Sequence, residues 1–220
     1  PGAPASGVLH SFPGNRTTTT NPLRQKTVSF AGSAASPAQF PKGALPEVAF
    51  LGRSNVGKSS LLNALCGSKG LARVSSAPGR TQLLNFFHVS GGASADEARE
   101  LLLVDLPGYG YAKVPESVRR SWAKLATSYL TKREALALCV FLVDARHEPM
   151  EGDHTLRAFL EHHDRPYLLV ATKSDKLGRG ERQRRLLALR SGFGAGAHGV
   201  TTVSAVTGDG VPELWHTIRQ

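Results

Sequence analysis

No aspartate or glutamate occurs before Glu47 in this chain of 220 residues, whereas Arg16, Arg24, Lys26 and Lys42 do. Residues 1–27 are rich in proline, glycine, serine and threonine, include the run TTTT, and show neither the helical nor the strand apolar period. Such a composition buries too little apolar surface to offset its ordering entropy, so a disordered basic extension is expected over 1–27. A remnant of an organellar transit peptide, also poor in acids, is the alternative, and a chain starting with proline leaves targeting open. Cysteine is scarce too: Cys66 and Cys139 are the only two. Both sit in apolar segments and read as buried, reduced small hydrophobes, which suits a reducing compartment. The longest apolar tract, ALALCVFLV ending at Val143, is strand-sized and short of the ~18–20 residues of a membrane span. The eight histidines show no ligand spacing, and no internal repeat is evident.

What is present is positive charge and an alternating apolar pattern. The net charge is +10 and the isoelectric point about 10.1, which points to a polyanionic partner, RNA first. Between Lys176 and Arg190 lie six basic residues, Lys176, Arg179, Arg182, Arg184, Arg185 and Arg190, against Glu181 alone. Six strand-like runs, EVAFL, QLLNFFHV, ELLLV, LCVFLV, YLLVA and GVTTVS, alternate with helix-period segments. Leu61, Leu62 and Leu65 mark one helix, and Val118, Trp122, Leu125 and Tyr129 a second that Pro115 opens. Helices are also expected over Asp153–His163, near Glu181–Arg190, and around Val211, Leu214, Trp215 and Ile218. The loop SGGASADEAR is too short for a crossover, so the strands it joins should be antiparallel. The expectation is an α/β domain over 28–220: three layers, a mostly parallel six-stranded sheet with one antiparallel strand, and helices on both faces.

Gly52-x4-Gly57-Lys58-Ser59 breaks the first apolar strand just before a helix. Glycines there let backbone N–H groups turn around phosphate oxygens, and the helix N-terminus adds about half a positive charge. Lys58 supplies a full charge, and the Ser59 hydroxyl is a natural Mg²⁺ ligand. Gly52, Arg53, Ser54, Asn55, Val56, Gly57, Lys58, Ser59 and Ser60 are therefore candidate phosphate-binding residues. Asp105 ends the strand LLLV in DLPGYG, placed to hold Mg²⁺, with Leu106 and Pro107 leading to Gly108, whose N–H faces a γ-phosphate. In TKSD, Asp175 can accept two hydrogen bonds from guanine where adenine would leave it unpaired. Thr172, Lys173 and Ser174 complete that loop, and Val203, Ser204 and Ala205 offer a backbone N–H to the guanine carbonyl.

LPEVAFLGRSNVGKSSLLNAL, SSAPGRTQLLNFF, LLLVDLPGYGYAKVP, VDARHEPMEGD and TKSDKL together resemble the EngB/YsxC-type GTPases, bacterial and organellar ribosome-assembly factors within the TrmE-Era-EngA-EngB-septin-like class. The resemblance covers roughly 28–220. It implies a Ras-like P-loop fold and GTP hydrolysis to GDP as a switch in assembly of the large ribosomal subunit. It also implies Thr81 as the switch threonine on Mg²⁺ beside Ser59 and Asp105, with Gly79, Arg80, Thr81, Gln82 and Leu83 lining GTP. Catalysis would fall to Lys58, Thr81, Gly108 and Asn55. Tyr109 follows Gly108 where Ras-like proteins place the water-orienting glutamine, so intrinsic hydrolysis should be slow. K⁺ seated by Asn55, or the ribosomal partner, would complete the transition state. Expected partners are GTP, GDP and the large subunit or its precursor, with Arg119, Arg120, Lys124 and the 176–190 segment toward rRNA. A monomer in the bacterial cytoplasm is expected, the mitochondrial or plastid matrix being the alternative. Competing readings are a nucleotide-gated RNA-binding module with negligible turnover, and an ATP-dependent kinase, which TKSD opposes.

Overall fold

The computed structural model describes residues 26–68, 70–72, 83–91, 99–109 and 116–220, apart from the side chains at 118 and 119. Seven strands form one sheet: β1 (Thr27–Ala34), β2 (Glu47–Gly52), β3 (Leu84–Ser90), β4 (Leu101–Asp105), β5 (Leu136–Asp144), β6 (Tyr167–Thr172) and β7 (Gly199–Thr202). Their spatial order is β1-β3-β4-β2-β5-β6-β7. Only β3 runs against its neighbours, pairing antiparallel with both β1 and β4; every other contact is parallel. The architecture is the expected one, with one strand more than the six anticipated. The extra strand, β1, is an edge strand in which Ala34 alone is fully buried and Phe30 is 58% exposed. Its pairing with β3 also slips between Phe30 and Gly32. An edge strand lying mostly in solvent has no apolar alternation to give it away.

Strands β2, β4 and β6 are buried on both faces, which is why they read as nearly unbroken apolar runs, whereas β3 alternates buried residues with half-buried ones such as Asn85 and His88. Along β5, Cys139, Phe141 and Val143 face one layer while Val140 and Leu142 face the other. The first layer holds α2 (Glu116–Lys132) and α3 (Glu151–His162) through Leu125, Tyr129, Leu130 and Leu160. A π-helical turn, Leu189–Phe193, completes it. The second layer holds α1 (Lys58–Cys66) through Leu61, Leu62 and Leu65, and α5 (Val211–Arg219) through Val211, Leu214 and Ile218. Each buried leucine or phenylalanine contributes about 1.5–3 kcal/mol. The basic helix α4 (Arg179–Ala188) starts two residues before its expected place and buries no residue of its own. Burial pushes the free thiols of Cys66 and Cys139 up to about 11 and about 12, which disfavours the reactive thiolate at both.

The end of the sheet away from the P-loop is anchored by a buried carboxylate. Glu47 is fully buried, accepting from the Tyr129 hydroxyl at 2.8 Å and from the Arg133 guanidinium at 2.5–3.1 Å. Arg133 also donates to the Pro41 carbonyl at 2.8 Å. Arg165 donates to the Leu130 and Thr131 carbonyls at 2.5 and 2.9 Å, satisfying the C-terminus of α2. Strand β2 is thus fixed at its start, and its end delivers the loop 53–57.

Candidate nucleotide site

The carboxyl ends of β4, β2, β5, β6 and β7 stand side by side in that order. They deliver Asp105, Gly52, Asp144, Thr172 and the segment Val203–Ala205 to one edge of the sheet, where open α/β sheets bind ligands. Gly52 has no room for a side chain: a Cβ there would lie 2.7 Å from the Leu142 carbonyl oxygen. Gly57, at φ 113°, turns the chain into α1 through a conformation open to glycine. The loop between them leaves backbone amides and the start of α1 around one cradle.

Lys58 lies in that cradle, 8% exposed, its ammonium 3.4 Å from the Gly52 carbonyl. Burial lowers its pKa, and Asp105 opposes the shift. Asp105 is 7% exposed, and its Oδ1 has no hydrogen-bond partner among the described residues. Burial pushes this carboxyl up to about 6 against the pull of Lys58. Ser54 Oγ is buried and likewise without a partner there. Ser59 and Ser60 lie in the first turn of α1, both half-buried. A buried cation, a buried carboxylate with one oxygen lacking a hydrogen-bond partner among the described residues, and a helix N-terminus meet here, which suits a polyanion together with a metal ion.

Leu106, Pro107 and Gly108 cross directly over this loop. A Cβ on Gly108 would come within 2.7 Å of Ser54 N and 2.8 Å of Lys58 Nζ. The Ser54 N–H donates to the Tyr109 carbonyl at 2.9 Å. The Tyr109 hydroxyl donates to Asp153 Oδ1 at 2.6 Å, and Asp153 Oδ2 accepts the Met150 N–H at 2.8 Å, capping α3. Leu83 is exposed just before β3. Gly79, Arg80, Thr81 and Gln82 lie outside the described residues.

On the other flank, Thr172 is buried with its hydroxyl 2.6 Å from the Val56 carbonyl and 3.1 Å from that of Val143. It joins the loop after β6 to the loop after β2. Lys173 donates to the Asn55 carbonyl at 2.7 Å and to Asp144 Oδ2 at 2.9 Å. Ser174 is buried and its N–H donates to the Val203 carbonyl at 3.2 Å. Asp175 Oδ1 accepts from Ser204 Oγ at 2.8 Å, and that oxygen in turn accepts the Val206 and Thr207 N–H groups at 3.2 and 3.1 Å. Ser204 chiefly, against burial, holds the Asp175 carboxyl below its ordinary range. Asp175 thus stands ionised with lone pairs to spare, the acceptor pattern that guanine requires.

A family model described as 50S ribosome-binding GTPase matches residues 47–173. The chain is 54% identical over 159 residues to a probable GTP-binding protein EngB of Syntrophus aciditrophicus, covering 72% of this chain and 77% of that one. It is 49% identical over 191 residues to the protein of the same description from Solibacter usitatus, covering 86% and 93%. The chain belongs to the EngB family of GTP-binding proteins. It is a GTP-binding protein of the P-loop GTPase class, as the description of the matching family model also has it. The crystal structure of a probable EngB protein superimposes with a TM-score of 0.60 at 23% identity, covering 78% of this chain and 96% of that one, which bears on the fold alone. An Era structure with MgGDPNP and nucleotides 1506–1542 of 16S ribosomal RNA superimposes with a TM-score of 0.63 at 26% identity, covering 80% and 56%.

The structure brings together the residues expected at the P-loop, the strand-ending Asp105 with Gly108, the TKSD loop and Val203–Ala205. Sequence reasoning missed Asp144, Arg146 and Asp153. All three lie inside VDARHEPMEGD, a stretch that entered the site reading only through resemblance, and the signal was its density of charge immediately after a buried strand.

Proposed function

We propose that this EngB-family chain works as a GTP-operated switch in assembly of the large ribosomal subunit, with residues 28–220 as its G domain and 1–27 as a basic extension. The carrying observation is the convergence at one sheet edge of buried Lys58, an Asp105 whose Oδ1 lacks a hydrogen-bond partner among the described residues, and an ionised Asp175. Triphosphate lies over Gly52–Ser60 and guanine against Lys173, Asp175 and the Ala205 N–H. The family model's description as 50S ribosome-binding supports the large subunit as partner, and the 16S ribosomal RNA in the related Era structure supports ribosomal RNA as the kind of surface bound.

The donor set fits magnesium, because the buried Asp105 oxygen lacks any other partner among the described residues. Ser59, Asp105 and, from the sequence, Thr81 would hold it, and the ion would supply positive charge to the phosphates. The chain's own residues do the rest: Lys58 balances charge, Gly108 meets the γ-phosphate, and Asp175 selects the base.

Tyr109 spends its hydroxyl on Asp153 and so does not orient water. Completion of the transition state, worth ~10³–10⁵ in rate when an arginine finger does it, comes from the ribosomal partner or from K⁺ held by Asn55. The Asn55 carbonyl already serves Lys173, which leaves its side chain for the ion. Unchanged turnover when Na⁺ replaces K⁺ eliminates the ion. The same Tyr109 contact favours a second reading, a nucleotide-gated binding module with negligible turnover. Single-turnover hydrolysis with and without ribosomal particles separates the two.

For rRNA contact the structure narrows the basic segment. Arg182 pairs with Asp209 at 3.5 Å and Arg185 with Glu148, while Arg179 and Arg184 are exposed. Arg120 pairs with Glu116 at 2.7 Å on the α2 surface. The bacterial relatives support a bacterial cytoplasmic location, and a monomer suits the closed sheet faces. Among the described residues no helix is long and apolar enough to cross a membrane. Co-sedimentation with ribosomal subunits decides the reading: retention on the large subunit with a nonhydrolysable GTP analogue and release with GDP is expected. Equal retention with both nucleotides, or none with either, overturns it.

A further inference from the structure

Asp144 closes β5 at the carboxyl edge of the sheet, between the P-loop that follows β2 and the TKSD loop that follows β6. Neither its charge nor that of Arg146 has a part in the chemistry above. We propose that Asp144, locked in place by Arg146, is a positioning residue that sets how long guanine nucleotide is retained, by holding Lys173 as a strap across the P-loop. The inference rests on seating the base against Lys173 and Asp175.

Four donors converge on one carboxylate. The Arg146 backbone N–H and Nε reach Asp144 Oδ1 at 3.1 and 2.9 Å, and Nη2 reaches Oδ2 at 2.8 Å. Lys173 Nζ takes the remaining position on Oδ2 at 2.9 Å. Although burial pushes the Asp144 carboxyl up, these bonds hold it well below the usual carboxylate range. The anion is therefore fixed in place and in charge before Lys173 meets it.

The other end of the strap is the P-loop. The same ammonium donates to the Asn55 carbonyl at 2.7 Å. Asn55 and Lys173 both have left-handed backbones, φ 62° and 59°, a conformation that residues with a Cβ hold only where something fixes them. One ammonium ties these two turns together, and of its two partners among the described residues Asp144 is the one that carries charge. Without that anion Lys173 keeps a single carbonyl, and its stem loses the fixed course along which the base packs. A flexible lysine then fluctuates, and the ligand leaves through the gap.

GDP and GTP share the guanosine and the first phosphates, so the strap acts on both alike. This is uniform binding, which appears in release rate and KM rather than in kcat. In stopped-flow release of fluorescent GDP and of a nonhydrolysable GTP analogue from the full chain, Asp144→Ala should speed both about tenfold, the scale of one charge-assisted hydrogen bond. The accompanying loss in kcat/KM should be carried by KM. Arg146→Ala removes a guanidinium whose side chain is 41% exposed and leaves the fold untouched; it should speed release about threefold, since Asp144 keeps its other donors. The double variant Asp144→Ala/Lys173→Ala should release nucleotide no faster than Lys173→Ala alone, because both act through one contact.

Unchanged release from folded Asp144→Ala, or single effects that multiply in the double variant, overturns the proposal. If Asp144→Ala does not fold, Arg146→Ala decides alone, and wild-type release from it overturns the proposal equally. Fast release from Lys173→Ala with wild-type release from Asp144→Ala rejects only the role of Asp144. Wild-type release from Lys173→Ala overturns this proposal together with the seating of the base.

Discussion

Asp175 leans one carboxylate oxygen on the Ser204 hydroxyl at 2.8 Å, and this bond keeps it ionised below its ordinary range. A lowered folded-state pKa favours the charged form, and the charge is lost only as pH falls through the lowered value, under the ~3.9 of a free aspartate. Guanine affinity should accordingly stay flat, as far as this group governs it, from about pH 8 to pH 5. Ser204→Ala removes the bond that orients the carboxylate and should weaken GDP binding about fivefold at both pH values. Fluorescent-GDP titrations at the two pH values read both effects. Asp175→Asn turns one acceptor into a donor and should exchange guanine for xanthine, costing roughly 10²-fold or more in GDP affinity. Undiminished GTP binding by that variant would reject the base assignment.

Strand β2 and helix α2 carry the energetics of the site although neither chemistry nor base reading occurs in their middles. Glu47 is fully buried at one end of β2, answered by Tyr129 and Arg133. Arg133→Ala leaves that buried carboxylate without its cation, so a loss of about 3–5 kcal/mol is expected in urea unfolding. A change under 1 kcal/mol would mean that Tyr129 alone suffices. At the other end, Gly52→Ala drives a Cβ to 2.7 Å from the Leu142 carbonyl. Spreading β2 from β5 should cost about 1–3 kcal/mol in thermal unfolding and weaken nucleotide binding with it. Gly67→Ala is the contrast. Its φ is 63° but nothing lies within 4 Å of the added carbon, so only the backbone term of about 1 kcal/mol applies.

At the scale of the whole molecule, a net charge of +10 makes binding to ribosomal RNA a matter of counterion release. Arg179 and Arg184 are the exposed members of the basic helix, whereas Arg182 and Arg185 are paired at the surface with Asp209 and Glu148. Replacing Arg179 and Arg184 together by glutamate should flatten the log–log salt dependence of large-subunit association by about two phosphate contacts' worth. Nucleotide release should stay as it was, because neither residue touches the carboxyl edge of the sheet. An unaltered slope would assign the contact to another surface.

The sequence by itself determined the alternation of buried strands and helices, the glycine-lysine-serine turn, the strand-ending Asp105 and the TKSD loop, because local spacing and strand burial are written along the chain. It did not reveal β1, whose edge position leaves Phe30 in water, nor the clamp on Lys173. Asp144 and Lys173 are far apart in the chain and meet only because β5 and β6 pair with Asp144 opposite Thr172. Strand order is the tertiary decision. By seating β4, β2, β5, β6 and β7 in that succession, the sheet lays Asp105, the phosphate loop, Asp144 and the base loop in a row. No periodicity records which strands are neighbours, since β2, β4 and β6 each bury both faces and offer the same apolar pattern to any partner.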